Sequence, residues 1–300
     1  MLTLAASLSI LFLMDINKLV RKPDWIRVAA PKGGEWKRVE DILQKRELHT
    51  VCDEARCPNK SECWSHGTAT FMILGDVCTR GCRFCAVATA KQGTEVRLEE
   101  AEELALAIEE MKLRYAVITS VDRDDLTDRG SGHFALCIKK IKERVPSIKV
   151  EVLIPDYVEG EIEVIVKARP DVIAHNVETC RRLQSVRDQR ASFDTSLRTL
   201  RLAKELGCPL TKSSMLLGLG ETEQEIFDTM DELRRINVDV LVLGQYLQPS
   251  TKQIKVVSYI EPEKFEELAA EGKKRGFSSV VAGPFARTSY HAMEAWEAGR

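Results

Sequence analysis

Three hundred residues suit one large α/β domain with appended segments and fall short of a comfortable two-domain enzyme. Lys and Arg total 44 against 46 Asp and Glu, a net charge of −2, so charge supplies no basis for nucleic-acid binding and none for a polybasic membrane surface. Nine cysteines, six of them within residues 52–85, argue against a secreted disulfide framework and for metal binding in a cytoplasmic enzyme.

Met1 to Leu13 is uncharged and mostly apolar. It is too short to span a bilayer and lacks the basic n-region of a secretory signal. The preferred reading of residues 1–14 is an upstream start codon with Met14 as the true start; a membrane-associated helix is the alternative. Residues 15–67 form an N-terminal extension, with Pro23, Pro31, Gly33 and Gly34 before one predicted helix around Trp36–Leu48. The first cysteine triplet follows, Cys52, Cys57 and Cys63, spaced C-x4-C-x5-C. His66 lies three residues past Cys63, so a Cys3His zinc site is the competing reading.

From about residue 70 short β-rich runs alternate with amphipathic helices. The predicted strands are Phe71–Leu74, Tyr115–Thr119, Ile148–Ile154, Asp171–His175, Ser213–Leu217, Val238–Leu243 and Ser278–Ala282. Leu98, Ala101, Leu104, Ala105, Ile108 and Met111 keep helical spacing, as do Ile226, Met230 and Leu233. Thr222 with Glu225 reads as a capping box, Pro262 as a first helical turn, and Gly207 with Pro209 as a helix stop. Such alternation implies a parallel sheet with right-handed crossovers. The expected fold is α/β, a partial (β/α)6 TIM-type barrel over 68–282, with the cysteine-rich extension before it and a C-terminal segment, 283–300, closing over it.

The second triplet, Cys78-Thr-Arg-Gly-Cys82-Arg-Phe-Cys85, is C-x3-C-x2-C with Phe84 before the last cysteine. It follows the first barrel strand, on the face where barrel enzymes carry their active sites. Three thiolates can hold three irons of a cubane and leave the fourth open to a cofactor, whereas closed clusters and structural zinc sites take four protein ligands. A zinc knuckle with a distant fourth ligand is the alternative. The spacing resembles that of the radical S-adenosylmethionine superfamily, which implies a cofactor bound to the open iron and a 5′-deoxyadenosyl radical.

The order of segments is similar to the lipoyl synthase family from Lys22 to Ala292. The resemblance is carried by Glu54-Ala-Arg-Cys-Pro-Asn, Ala69-Thr-Phe-Met-Ile-Leu-Gly, the Cys78–Cys85 loop, Thr119-Ser-Val-Asp-Arg-Asp-Asp-Leu and His175-Asn-Val-Glu-Thr. It continues through Leu217-Gly-Leu-Gly-Glu-Thr, Gln245-Tyr-Leu-Gln-Pro-Ser and Gly283-Pro-Phe-Ala-Arg-Thr-Ser-Tyr-His-Ala. It implies two 4Fe–4S clusters, the auxiliary one on Cys52, Cys57 and Cys63 with Ser289 as fourth ligand. It also implies insertion of two sulfur atoms at carbons 6 and 8 of an octanoyl chain on a lipoyl carrier domain, with the auxiliary cluster as sulfur donor and a ferredoxin- or flavodoxin-type reductant. Another radical sulfur-inserting enzyme, close to biotin synthase in chemistry, and a zinc-stabilised interaction module are the competing functions.

Asp122, Asn176 and Glu178 follow predicted strands two and four and are the expected contacts to the S-adenosylmethionine ribose and amino group; loop-stabilising roles compete. Arg187 and Lys212 are further candidates for a carboxylate. Glu223 occupies the third glycine position after Gly218 and Gly220, so a dinucleotide turn fails. Cys137, Cys180 and Cys208 read as packing residues. The chain departs from the family at Thr288, where Arg-Ser-Ser-Tyr has serine. It departs again at Thr251-Lys-Gln-Ile-Lys-Val, where the family has a His/Arg segment ending in Leu-Pro-Val.

Overall fold

The computed structural model describes residues 21–28 and 30–300, so the apolar Met1–Leu13 stretch and Met14 lie outside the described residues. Its main sheet has eight strands in the order β1-β2-β5-β6-β7-β8-β9-β10. They are β1 His49–Thr50, β2 Thr70–Ile73, β5 Tyr115–Ser120, β6 Lys149–Leu153, β7 Val172–Ala174, β8 Leu210–Leu217, β9 Val240–Gln245 and β10 Ser279–Gly283. A second, two-stranded parallel ribbon joins β3 Val77–Cys78 to β4 Ala88–Thr89. From β2 to β10 every neighbouring pair in the main sheet is parallel. All seven predicted strands form, six as the partial barrel and β10 added at the edge.

The strands read as apolar runs because both sheet faces are covered. Six helices fill the crossovers and flank the sheet: α4 Glu100–Glu110, α5 Ser131–Arg144, α6 Glu159–Lys167, α7 Phe193–Glu205, α8 Glu223–Arg235 and α9 Pro262–Lys274. The Thr222 side chain accepts from the Glu225 amide while the Glu225 carboxylate accepts from the Thr222 amide, and Pro262 opens α9, as expected. Gly207, at φ +94°, takes the left-handed turn that ends α7.

The extension is part of the sheet. Helix α1, Gly33–Lys45, leads to β1, which pairs antiparallel with β2 through His49 opposite Met72 and Thr50 opposite Phe71. Two short helices, α2 Val51–Glu54 and α3 Lys60–Ser65, then carry Cys52 and Cys63, with Cys57 in the turn between them. Sequence periodicity missed β1 because two residues cannot show a period.

The C-terminal segment enters the barrel as well as closing it. Interior positions alternate along each strand, so Tyr115, Lys149, Glu151, Lys212 and Val240 form the inner layer at the N-terminal ends. Helix α10, Ala292–Ala298, reaches that layer: Trp296 packs 6.1 Å from Tyr115 and carries Lys149 Nζ 5.3 Å from its ring, and Gly299 lies against Val240. Lys212 Nζ bonds both Glu151 oxygens at 3.0 and 3.1 Å, and Tyr115 donates to the same carboxylate at 2.7 Å. With Lys212 only 2% and Glu151 0% exposed, this ion pair is a structural floor, and Lys212 is occupied by it.

Candidate active site

Above that floor lies a cavity of about 340 Å³. Its lining includes Cys78, Cys82, Cys85, Asp122, Asn176, Glu178, Cys57 and Ser289. Residues from both ends of the chain and from the C-terminal ends of the strands therefore meet in one space, as a barrel site requires.

The Cys78–Cys85 loop is held by its own neighbours. Arg80 is buried and forks onto Asp124 at 2.8 and 2.8 Å, with a third contact to Asp156 at 2.9 Å. Arg190 donates to the Thr79 carbonyl at 2.6 Å, and Asp188 accepts from the Gly81 amide at 2.8 Å. Backbone amides of Arg80 and Asp188 point at the sulfurs of Cys78 and Cys82, at 3.4 and 3.3 Å. Gln253 donates to the Cys85 carbonyl at 3.0 Å and Ile254 to the Arg83 carbonyl at 3.1 Å. The Thr251–Val256 departure is thus a strap across the cysteine loop.

Burial pushes the Cys78 thiol up to about 12, with Asp122 adding to the effect, and the Cys82 thiol to about 12. Burial likewise raises Cys52, to about 11, and Cys63, to about 12, each with a neighbouring cysteine adding to it. Thiols in such surroundings ionise only with a positive centre to bind, and a coordinating metal deprotonates them outright.

The first triplet's segment is tied to the far end of the chain. Asn59 Nδ2 donates to the Phe285 carbonyl at 2.7 Å, and Tyr290 donates to Glu62 at 2.9 Å. These bonds span 226 and 228 residues and bracket Ser289. Thr288 donates to Asn176 Oδ1 at 3.0 Å and lies 3.2 Å from Ser214 Oγ, so the position that departs from the family ties the segment to the barrel. Gly244 makes this approach possible: a Cβ there would stand 2.1 Å from the Ala286 carbonyl oxygen. Arg287 lines the cavity and feels both Cys57 and Glu178, and its bond is to the Ala286 carbonyl at 2.7 Å.

Glu178 has a left-handed backbone, φ +66°, which an L-residue adopts only when held. Two backbone bonds hold it, its amide to Ser214 at 3.1 Å and its carbonyl from Leu216 at 2.7 Å. Asn176 Nδ2 donates to its carboxylate at 3.2 Å, and burial raises the carboxyl above its ordinary value. Asp122 is raised by burial too, against the pull of Arg80, whose Nη1 lies 3.4 Å away. His175, missed as a site residue, also lines the cavity. Arg187 donates to Ser196 Oγ at 2.9 Å, which turns that hydroxyl proton toward His175 Nε2 at 2.8 Å. Nδ1–H then donates to the Ile154 carbonyl at 2.9 Å. Burial, with Arg187 beside it, lowers the imidazole to about 4.

The donor sets fit iron–sulfur clusters. Each is three thiols, Ser289 lines the same cavity as Cys57, and a cubane takes each thiolate on a separate iron. Among the described residues no three His, Cys, Asp or Glu groups are arranged to hold a single metal ion, and His66 is exposed at the end of α3. The Gly218–Gly220 turn carries no phosphate cradle, because Glu221 already accepts from the Gly218 and Leu219 amides at 2.5 and 2.9 Å.

Comparison with known proteins shows the family. The chain is 49% identical over 278 residues to lipoyl synthase of Methanocella arvoryzae, covering 91% of this chain and 94% of the relative. The chain belongs to the lipoyl synthase family. It is also 49% identical over 276 residues to the Thermus thermophilus lipoyl synthase, covering 90% of this chain and 85% of that one. The Radical SAM superfamily matches over residues 72–233, and the N-terminal domain of lipoyl synthase over 13–57. Membership makes the protein a radical enzyme that uses 4Fe–4S clusters and S-adenosylmethionine. Among solved structures, the hydrogenase maturase HydG of Carboxydothermus hydrogenoformans aligns with TM-score 0.60 at 16% identity, over 87% of this chain and 68% of that one. Methylornithine synthase aligns with TM-score 0.55 at 14% identity, over 68% and 61%. These two likenesses speak to the fold, an open barrel.

Proposed function

We propose that this chain inserts two sulfur atoms, at carbons 6 and 8, into an octanoyl group carried on the lysine of a lipoyl carrier domain. The observation that carries the reading is that Cys57 of the first triplet and all three cysteines of the second line one cavity. Bound on Cys78, Cys82 and Cys85, a 4Fe–4S cluster with S-adenosylmethionine supplies a 5′-deoxyadenosyl radical, which unactivated C–H bonds require because they offer no acidic proton.

The auxiliary cluster is a second substrate in this scheme, since its sulfide ends in the product. Cys52, Cys57, Cys63 and Ser289 hold it. A serine oxygen binds iron less firmly than thiolate does, which suits a cargo that must be opened. Asp122, Asn176 and Glu178 face the S-adenosylmethionine ribose and amino group. Arg187 and Ser196 keep His175 neutral and fixed, so it lines the site without adding charge. Met72, Val121, Leu153, Met215 and Val242 supply an apolar wall for the acyl chain and exclude water from it. The working division is an extension over 15–67, the barrel over 68–282 and a closing segment over 283–300.

Among the described residues no helix is long and apolar enough to cross a membrane. The proposal places the reaction in the cytoplasm, with a small ferredoxin- or flavodoxin-type protein as reductant. The test is an anaerobic assay with an octanoylated carrier peptide. A mass gain matching two sulfurs supports the reading; cleavage of S-adenosylmethionine without any gain rejects this substrate.

A further inference from the structure

The Thr251–Val256 strap has two sides, and the reaction scheme uses only the inner one. On that side Gln253 donates to the Cys85 carbonyl at 3.0 Å, and Ile254 and Val256 pack with Phe84 around Val186, Leu219 and Tyr246. Tyr246 fixes the strap further by donating to the Ile254 carbonyl at 2.8 Å. The outer side carries Lys252, Lys255 and the next residue, Val257, all exposed, Val257 by 57%. Arg83 joins them from the cysteine loop: it is exposed, and its carbonyl accepts from the Ile254 amide at 3.1 Å. Three cations and an apolar side chain therefore flank the outer face of the loop that carries Cys82 and Cys85.

No carboxylate answers these charges. Among the described residues, none of the three cations is within ion-pair distance of an Asp or Glu, whereas Arg182 and Arg190 are paired with Glu225 and Asp188. In a chain of net charge −2 that is a local concentration of positive charge. Basic side chains left free around an exposed apolar one fit a transient acidic partner: charge steers the encounter, and a small contact lets the two part again. Position selects the partner. Cys82, Phe84 and Cys85 line the cavity, whereas Arg83, Lys252 and Lys255 do not. A carrier domain has to feed its acyl arm into the cavity. An electron donor has only to come near the cluster ligands, and Arg83 is the residue after Cys82.

We propose that Lys252 and Lys255, with Arg83 and Val257, form the docking face for an acidic one-electron carrier protein, which reduces the cluster on Cys78, Cys82 and Cys85 from outside the cavity. The carrier is oxidised by one electron and the cluster is reduced by one. Salt weakens the encounter, because the charges of the face are exposed. The inference rests on the assignment of the radical cluster to this triplet.

The test uses the full, reconstituted enzyme, the double variant Lys252→Glu with Lys255→Glu, and flavodoxin, an acidic flavoprotein, reduced to its hydroquinone. Calorimetric titration at low salt reads binding directly. Charge reversal should weaken it about tenfold, and added salt should erase most of the difference. Cleavage of S-adenosylmethionine, followed as 5′-deoxyadenosine, should then need about tenfold more flavodoxin to reach half its maximal rate. With reduced methyl viologen, a small cation that needs no docking face, parent and variant should run at one rate. Unchanged flavodoxin affinity in the variant overturns the inference. So does equal loss with both donors, which makes the strap a support of the cysteine loop alone. A variant whose only defect is weaker binding of an octanoylated carrier domain overturns it as well, since the face then belongs to the substrate. If Cys82→Ala retains two clusters, the ligand assignment beneath it fails instead.

Discussion

The two triplets are built in opposite ways. Cys78, Cys82 and Cys85 sit within eight residues after a barrel strand, held by Arg80, Asp188 and Arg190 and by amides aimed at the sulfurs. Cys52 and Cys63 sit on two short helices outside the barrel with Cys57 between them, and the segment carrying Ser289, their proposed fourth partner, is tied to them from the far end of the chain. A loop secured locally suits a centre that must survive each turnover. A site closed by a separate segment suits one that is opened and refilled. On the proposed function, the lasting and the expendable cluster sit on different kinds of architecture.

The contrast predicts separable losses. Cys82→Ala should bring S-adenosylmethionine cleavage down to assay background, since no open iron is left to bind it, and sulfur insertion with it. Cys57→Ala should abolish sulfur insertion while cleavage of S-adenosylmethionine continues. Equal loss of both activities in Cys57→Ala would break the division between the triplets. Product chromatography for methionine and 5′-deoxyadenosine, alongside peptide mass, reads both.

Arg80→Met should destabilise the chain by about 3–5 kcal/mol, because Asp124 and Asp156 lose a buried partner. Urea unfolding under anaerobic conditions measures it. The pH response of the barrel site is next in size. An ordinary histidine protonates near 6.5, whereas His175 stays neutral down to about 4. Between those values the unfolded chain binds a proton that the native chain refuses, so stability falls as pH drops through this window, by roughly 3 kcal/mol at its lower end. His175→Asn should flatten the slope of urea stability between pH 7 and pH 5. The smallest effect is expected of Tyr290→Phe, which removes one long-range bond and costs about 1 kcal/mol. It should slow sulfur insertion more than it slows S-adenosylmethionine cleavage.

Legibility in the sequence follows the same division. The barrel strands and the Cys78–Cys85 loop were readable because their signals are local: apolar runs, a capping box, a fixed cysteine spacing. The roles of Thr288 and Gln253 were not, since each acts through one contact to a distant element. Their positions stand out in the sequence only as departures from the family. His175 stands in a family segment, but its role is not legible there, because its neutral state depends on Arg187 and Ser196 meeting it in space. Lys212 misled for the same reason: its partner Glu151 lies 61 residues away in sequence. The descent of α10 into the barrel floor likewise depends on Trp296 meeting Tyr115, which no periodicity reports.

The central claim is that the Cys52, Cys57 and Cys63 cluster gives up its sulfur. Its most direct test is to assemble the enzyme with 34S sulfide, remove free sulfide, and run one turnover in natural-abundance buffer with an octanoylated peptide. The account predicts a product whose two inserted sulfurs are both 34S, and no thiolated product from a Cys57→Ala enzyme labelled the same way. Natural-abundance sulfur in the product, or labelled product from that variant, would contradict it.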